Sequence, residues 1–221
     1  MHADLISVHS NGSLERIDGL SGLSGSLTSL LIYIEPSLTS LHGLEGITEL
    51  TSALYLHSVS GLTTLTGLDG LESAGTVTLA SNPRLLGLEG LEQLESVEFI
   101  YVEDNAALVD LDGLSGLRAV GDRMELIELS SLVDLSGLAS LETVGDTFLL
   151  MDMDALTSLD GLPAFTMTGV SRSELPPYVR ISNNRRICNE EADAFVATLS
   201  YPAELGLESV VAANGFQATC P

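Results

Sequence analysis

Apolar residues recur along this chain in two registers. One is the pattern L-x-x-L-x-G-L-x-x-L, which begins at Leu14, Leu38, Leu62, Leu85, Leu108, Leu132 and Leu156, with Ile17 filling the second slot of the first copy. The starts are 24, 24, 23, 23, 24 and 24 residues apart. Seven copies at so even a period predict a solenoid, in which each repeat is one coil and buries its apolar side only by stacking on its neighbours. The other register lies between the copies. Pairs such as Leu30/Ile32, Leu54/Leu56, Val77/Leu79, Ile100/Val102, Met124/Leu126 and Phe148/Leu150 alternate with other residues. Period 2 of this kind predicts a strand with one buried face. Ile6/Val8 and Val179/Ile181 extend the series to eight parallel strands, which at about 4.8 Å each give a rod of about 35–40 Å.

Comparing the copies gives each slot a role. The glycine slot holds Gly19, Gly43, Gly67, Gly90, Gly113, Gly137 and Gly161, and the next slot is always Leu. A slot that never carries a Cβ needs either a positive φ or a close approach to the next coil. Three residues before a repeat start stand Asn11, Asn82, Asn105 and Asn184, placed to turn inward and bond turn carbonyls. Glu35, Val59, Leu129 and Met153 interrupt that ladder. No helix-period segment falls between Leu14 and Phe165, which argues against a strand-plus-helix horseshoe. The expected fold is mainly β: a right-handed parallel β-helix, a leucine-rich solenoid of about eight coils, with a short C-terminal capping helix.

The run LEGLEQLESVEFIYVEDNAAL, residues 88–108, reads as L-x-G-L-x-x-L-x-x-V, then an alternating strand, then Asn and Leu. It resembles the receptor L domain, the leucine-rich β-helical ligand-binding module of insulin and EGF receptors, and more closely the L domain-like repeats of bacterial surface proteins. The resemblance spans roughly residues 5–187. It implies a β-helical fold and a binding role in a secreted or cell-surface bacterial protein. The chain departs from the receptor modules in its two cysteines and strong acidity, so no ligand residues carry over.

The end of the chain reads differently. Residues 1–187 are expected to form the solenoid and 188–221 a cap. The segment NEEADAFVATLS suggests a short amphipathic helix with Asn189 as N-cap and Ala192, Phe195, Val196 and Leu199 on one face. The segment ESVVAANG can add a final strand. Cys188 and Cys220 bracket this region and read as a disulfide, the alternative being two reduced thiols. A bridge would place the protein outside the cytosol, extracellular or at the cell surface.

Charge narrows the partners. Asp plus Glu number 31 against 8 basic residues, all Arg, for a net charge of -23. Such a field repels nucleic acid and anionic membrane surfaces. There is no run of 18 apolar residues to span a membrane, and the start MHADLISVHSNG lacks the features of a signal peptide. His2, His9, His42 and His57 have no zinc spacing. The acidic runs at 103–105, 110–113 and 151–154 match no EF-hand loop or glycine-rich calcium coil, and no nucleotide or nucleophile motif occurs. No cofactor or metal site is therefore expected.

Polysaccharide-cleaving enzymes also use β-helices, and Glu103, Arg123 and Glu125 lie on adjacent outward strand positions. Cross-strand charge pairing explains them more simply, so the chain is read as non-enzymatic. The outward strand slots carry four of the five tyrosines, whereas most acids lie around the glycine–leucine corners. The expected binding face comprises Tyr33, Tyr55, His57, Phe99, Tyr101, Ile127 and Leu149, recognising a protein or a glycan. The alternatives are a structural spacer within a larger adhesin and, less favoured, a carbohydrate-active enzyme.

Overall fold

The computed structural model describes residues 5–169, 177–202 and 208–212. The strands, in chain order, are β1 (Leu5–His9), β2 (Gly25–Tyr33), β3 (Ile47–His57), β4 (Ser73–Ala80), β5 (Ser96–Glu103), β6 (Ala119–Ile127), β7 (Thr143–Val144), β8 (Thr147–Met151), β9 (Thr166–Met167), β10 (Tyr178–Ser182) and β11 (Glu208–Ala212). All pairings are parallel, and the main order is β1-β2-β3-β4-β5-β6-β8-β10-β11. β7 pairs with β6 and β9 to the side of this path. The fold is a β-solenoid of about seven turns. Seven is the number of intervals between the eight alternating strands expected from the sequence, and all eight form. β11 adds the ninth member of the ladder, and the only α-helix among the described residues is α1 (Asn189–Val196).

The strands are longer than the alternating pairs alone. β2 to β6 begin upstream, near the slots of Leu50, Val97 and Val120. They cross an irregularity, as between Leu50 and Ala53 or Val97 and Phe99, before the ladder becomes regular. Extra residues on one strand of a pair bend it, which turns the coil through a corner without ending the sheet.

Leucine fills the interior. The repeat-start, second-slot and post-glycine leucines from Leu38 to Leu138 are all at most 1 % exposed. The L-x-G-L unit is a tight turn: the N–H of the Leu after glycine donates to the carbonyl three residues back, as in Leu68 to Leu65, Leu91 to Leu88 and Leu114 to Leu111. Two kinds of turn do this work. Gly43, Gly67, Gly90 and Gly161 have φ between 98° and 114°, as the third residue of a type II turn requires. Gly113 and Gly137 instead sit in single 3-10 turns, Asp112–Leu114 and Ser136–Leu138. There a Cβ would run into the backbone of Leu88 or Leu111 in the preceding coil. Both reasons expected for the invariant glycine therefore operate: close approach alone at Gly113 and Gly137, and close approach together with positive φ at Gly43, Gly67, Gly90 and Gly161.

A second column marks the far end of each strand. Ser10, Ile34, Ser58, Ser81, Asp104, Glu128, Asp152 and Asn183 are all left-handed, with φ between 52° and 62°. Each of the first seven donates its N–H to the next coil, from Ser10 to the Tyr33 carbonyl through Asp152 to that of Ser182. The inward Asn follows immediately. Its Oδ1 accepts the N–H of the equivalent residue one coil back, from Val59 to Asn82 and from Asn82 to Asn105. Its Nδ2 donates to a carbonyl at the end of the previous strand, from Asn82 to Leu56 and from Asn105 to Leu79. Glu35 stands in the same slot, wholly buried. Its Oε1 accepts from Asn11 N and Nδ2, and its Oε2 has no partner.

The cap departs from expectation at its first residue. Asn189 lies inside α1; the N-cap is Cys188, extended at φ -86° and ψ 156°, and no side chain caps the helix. Glu191, in the first turn, accepts instead from Leu159 N at 2.6 Å and Ser158 Oγ at 3.0 Å, tying α1 to the last coil. Phe195 packs with Phe148 and Phe165 at ring-centre distances of 6.4 and 6.0 Å, so the cap shares the solenoid's core. Cys188 is buried; Cys220, its expected partner, lies outside the described residues.

Candidate binding face

Residues facing outward from the strands form three rows, each running along the stack in register. The first joins Ser29, Ala53, Thr76, Phe99, Arg123 and Thr147; the second Leu31, Tyr55, Thr78, Tyr101, Glu125 and Leu149. The third joins His9, Tyr33, His57, Ala80, Glu103 and Ile127. All seven residues expected at the face, Tyr33, Tyr55, His57, Phe99, Tyr101, Ile127 and Leu149, lie in these rows and are half-buried.

They do not form one patch. At the β1–β3 end the His9 and Tyr33 rings stack at 4.7 Å and 7°. Tyr33 meets Tyr55 edge-on at 6.2 Å, and Tyr55 lies parallel to His57 at 5.9 Å. Four rings thus make a continuous platform across three coils. β4 then presents only Thr76, Thr78 and Ala80. Beyond it Phe99 and Tyr101 form a second pair, tilted, at 6.1 Å. Ile127 and Leu149 lie farther on, separated from the platform. His9 was legible only as an outward strand residue, because its partner Tyr33 is 24 positions away and meets it only through the register.

The second patch carries acid. Burial, then a hydrogen bond to Glu103 and the charges of Glu103, Glu125 and Glu128, push the Tyr101 phenol above its ordinary value. Burial likewise raises the Glu125 carboxyl, opposed by Arg123 and reinforced by Asp122 and Glu103. The charge pairing expected among Glu103, Arg123 and Glu125 is not the one observed: the Arg123 ion pair is with Asp122, at 3.5 Å. Arg123 and Glu125 share the outward face of β6, and Arg123 still acts on the Glu125 carboxyl through its charge, but its ion pair is with the neighbouring Asp122.

Two further features escaped the sequence reading. Leu86, Val109 and Val133 are 49, 40 and 52 % exposed and adjoin one another on consecutive coils, joined by backbone bonds from Val109 to Leu86 and from Val133 to Val109. Their signal was an apolar residue directly after the repeat-start Leu in three successive copies. The corner acids also have structural work. Glu45, Asp69 and Glu92 accept the N–H of Gly43, Gly67 and Gly90 at 2.9, 2.7 and 2.9 Å. Glu45 and Glu92 are thus not simply solvated charges, because a positive-φ glycine leaves its N–H without a partner in its own turn.

Among the described residues no group of three or more His, Cys, Asp or Glu is arranged to hold a metal ion, and no helix is long and apolar enough to cross a membrane. No protein-family model matches the chain, and no curated protein or solved structure does.

Proposed function

We propose that this solenoid is a non-catalytic recognition module of a secreted or cell-surface bacterial protein, and that it binds a protein or glycan through the outward face of its parallel sheet. The observation that carries the reading is the platform of His9, Tyr33, Tyr55 and His57, four half-exposed or exposed rings in contact on a chain otherwise dominated by carboxylates. Tyrosine offers large contact area with only two rotatable angles to freeze, so such rings serve as anchors in recognition surfaces. The Phe99–Tyr101 pair supplies a second anchor two coils away. The extracellular part of the proposal rests on the resemblance to bacterial surface repeats and on a Cys188–Cys220 bridge. Mass spectrometry of unreduced protein tests that bridge, and two free thiols would remove its support.

The binding reading is tested by screening the purified chain on glycan and protein arrays, then measuring affinity for the best ligand by calorimetry. Tyr55→Ala and Tyr101→Ala should each weaken binding by about 1–3 kcal/mol while leaving the unfolding midpoint nearly unchanged. Full affinity in both variants, with loss on changing the coil-corner acids, would move the binding surface to the other side of the rod.

A further inference from the structure

The two ends of the rod are finished differently. At one end α1 and β11 lie over the last coil. At the other, β1 is the edge of the sheet among the described residues, and the first coil is only half-covered. Ile6, Val8, Leu14, Leu20 and Leu23 are only partly buried, whereas their equivalents one coil on, Leu30, Ile32, Leu38, Leu44 and Ile47, are 0 % exposed. Leu5 is 54 % exposed. We infer that this end is a self-association surface, and that two copies of the chain join by antiparallel pairing of β1 with β1 of the second copy.

The geometry of β1 supports a second copy in particular. Ser10 N donates to Tyr33 O, so alternate residues Val8 and Ile6 turn their backbone groups to β2. Leu5, Ser7 and His9 therefore turn theirs to the open edge. A two-fold axis through Ser7 places Ser7 against Ser7 of the second copy and Leu5 against His9, each as a hydrogen-bonded pair, which makes six main-chain bonds. The same axis puts Ile6 against Val8 of the second copy on the inner face, apolar against apolar, and brings the two half-covered coils together.

Charge permits the contact. The chain carries -23, yet between Leu5 and Ser24 its only carboxylates are Glu15 and Asp18, with Arg16 between them and bonded to Asp18 at 2.6 Å. Head-to-tail stacking is disfavoured, since it would have to displace α1 from the Phe148–Phe165 cluster.

Sedimentation equilibrium of the full 221-residue chain tests this independently of any ligand. The expected result is twice the monomer mass, with amide exchange at Leu5, Ser7 and His9 slowing as protein concentration rises. Ser7→Pro removes an edge N–H that β2 does not use, and should halve the mass while the far-ultraviolet spectrum is kept. Leu14→Glu, which puts a charge among the half-covered apolar residues that the contact would bury, should do the same, so the test survives if Ser7→Pro fails to fold. A wild-type chain that stays monomeric, as it would if β1 served a different partner, overturns the inference. So does a dimer that persists in both variants, or one whose edge amides exchange at a rate independent of concentration.

Discussion

The same substitution at two positions of one slot should give opposite results. Gly19 and Gly113 both occupy the glycine of L-x-G-L, both lie in single 3-10 turns, and neither has positive φ. Around Gly19 a Cβ would meet nothing within 4 Å, because no described coil lies beneath the first. Alanine there reduces the freedom of the unfolded chain and should stabilise by about 0.4–1 kcal/mol. At Gly113 the Cβ would run into the carbonyl of Leu88, with Glu89 N 2.9 Å away. That carbonyl cannot simply retreat, since it accepts from Leu91 N and holds the turn of its own coil. Overpacking costs about 1–3 kcal/mol, and loosening the turn bond adds about 1 kcal/mol. The two alanine variants should therefore differ by about 2–5 kcal/mol on these terms. Urea unfolding followed by circular dichroism reads this directly, with the denaturant slope checked for constancy. Equal shifts for Gly19→Ala and Gly113→Ala would refute the argument that coil spacing, rather than turn geometry, excludes side chains from the slot.

Three other outcomes follow from single residues. Glu35→Gln gives the unpartnered Oε2 position a donor, as Nδ2 of Asn does in the other coils, and should raise stability by about 1–3 kcal/mol in chemical denaturation; a loss of stability would show that the carboxylate has a role the ladder does not explain. Ile34 is β-branched, left-handed and 53 % exposed, so Ile34→Asn should gain about 1 kcal/mol by relieving backbone strain at little loss of burial, and an unchanged thermal midpoint would count against that strain. The raised Glu125 carboxyl contributes stability that is complete below the ordinary glutamate value of 4.5 and is lost as pH rises through its higher folded value; unfolding measured across pH should show Glu125→Gln gaining on wild type as pH rises through that window, and a difference independent of pH would remove the effect.

How much of this was legible depended on whether the signal was local. Strand rows were, because inward residues such as Ile100 and Val102 alternate within a few positions and their register follows from the repeat length. The glycine slot was equally plain, but not the fact that it hosts two turns. In five interior coils an acid distinguishes them: two residues after glycine in the positive-φ turns of Gly43, Gly67 and Gly90, at Glu45, Asp69 and Glu92, and three before it at Asp110 and Asp134, which accept from Asp112 N and Ser136 N in the 3-10 turns; the turns of Gly19 and Gly161 carry neither mark. The left-handed column left no trace, since Ser, Ile, Asp, Glu and Asn all occupy it; the stack imposes that conformation against the preference of Ile34. Asn189 was misplaced because the chain turns into α1 one residue earlier, at Cys188. The binding face was found residue by residue, but its division at β4 depended on which rings reach one another across coils.

The left-handed residues have a consequence for how such a rod changes length. Each ends its strand at the same point of the coil, and seven of them hand an N–H forward to the next coil at 3.0–3.3 Å. The junction between any two interior coils is consequently interchangeable with its neighbours. Removing or duplicating one whole repeat would rejoin donor to acceptor with no new geometry, whereas an insertion of a few residues would misalign the column. Evolution can therefore lengthen or shorten the protein in steps of one strand spacing, setting the distance between its two ends as if along a graduated scale.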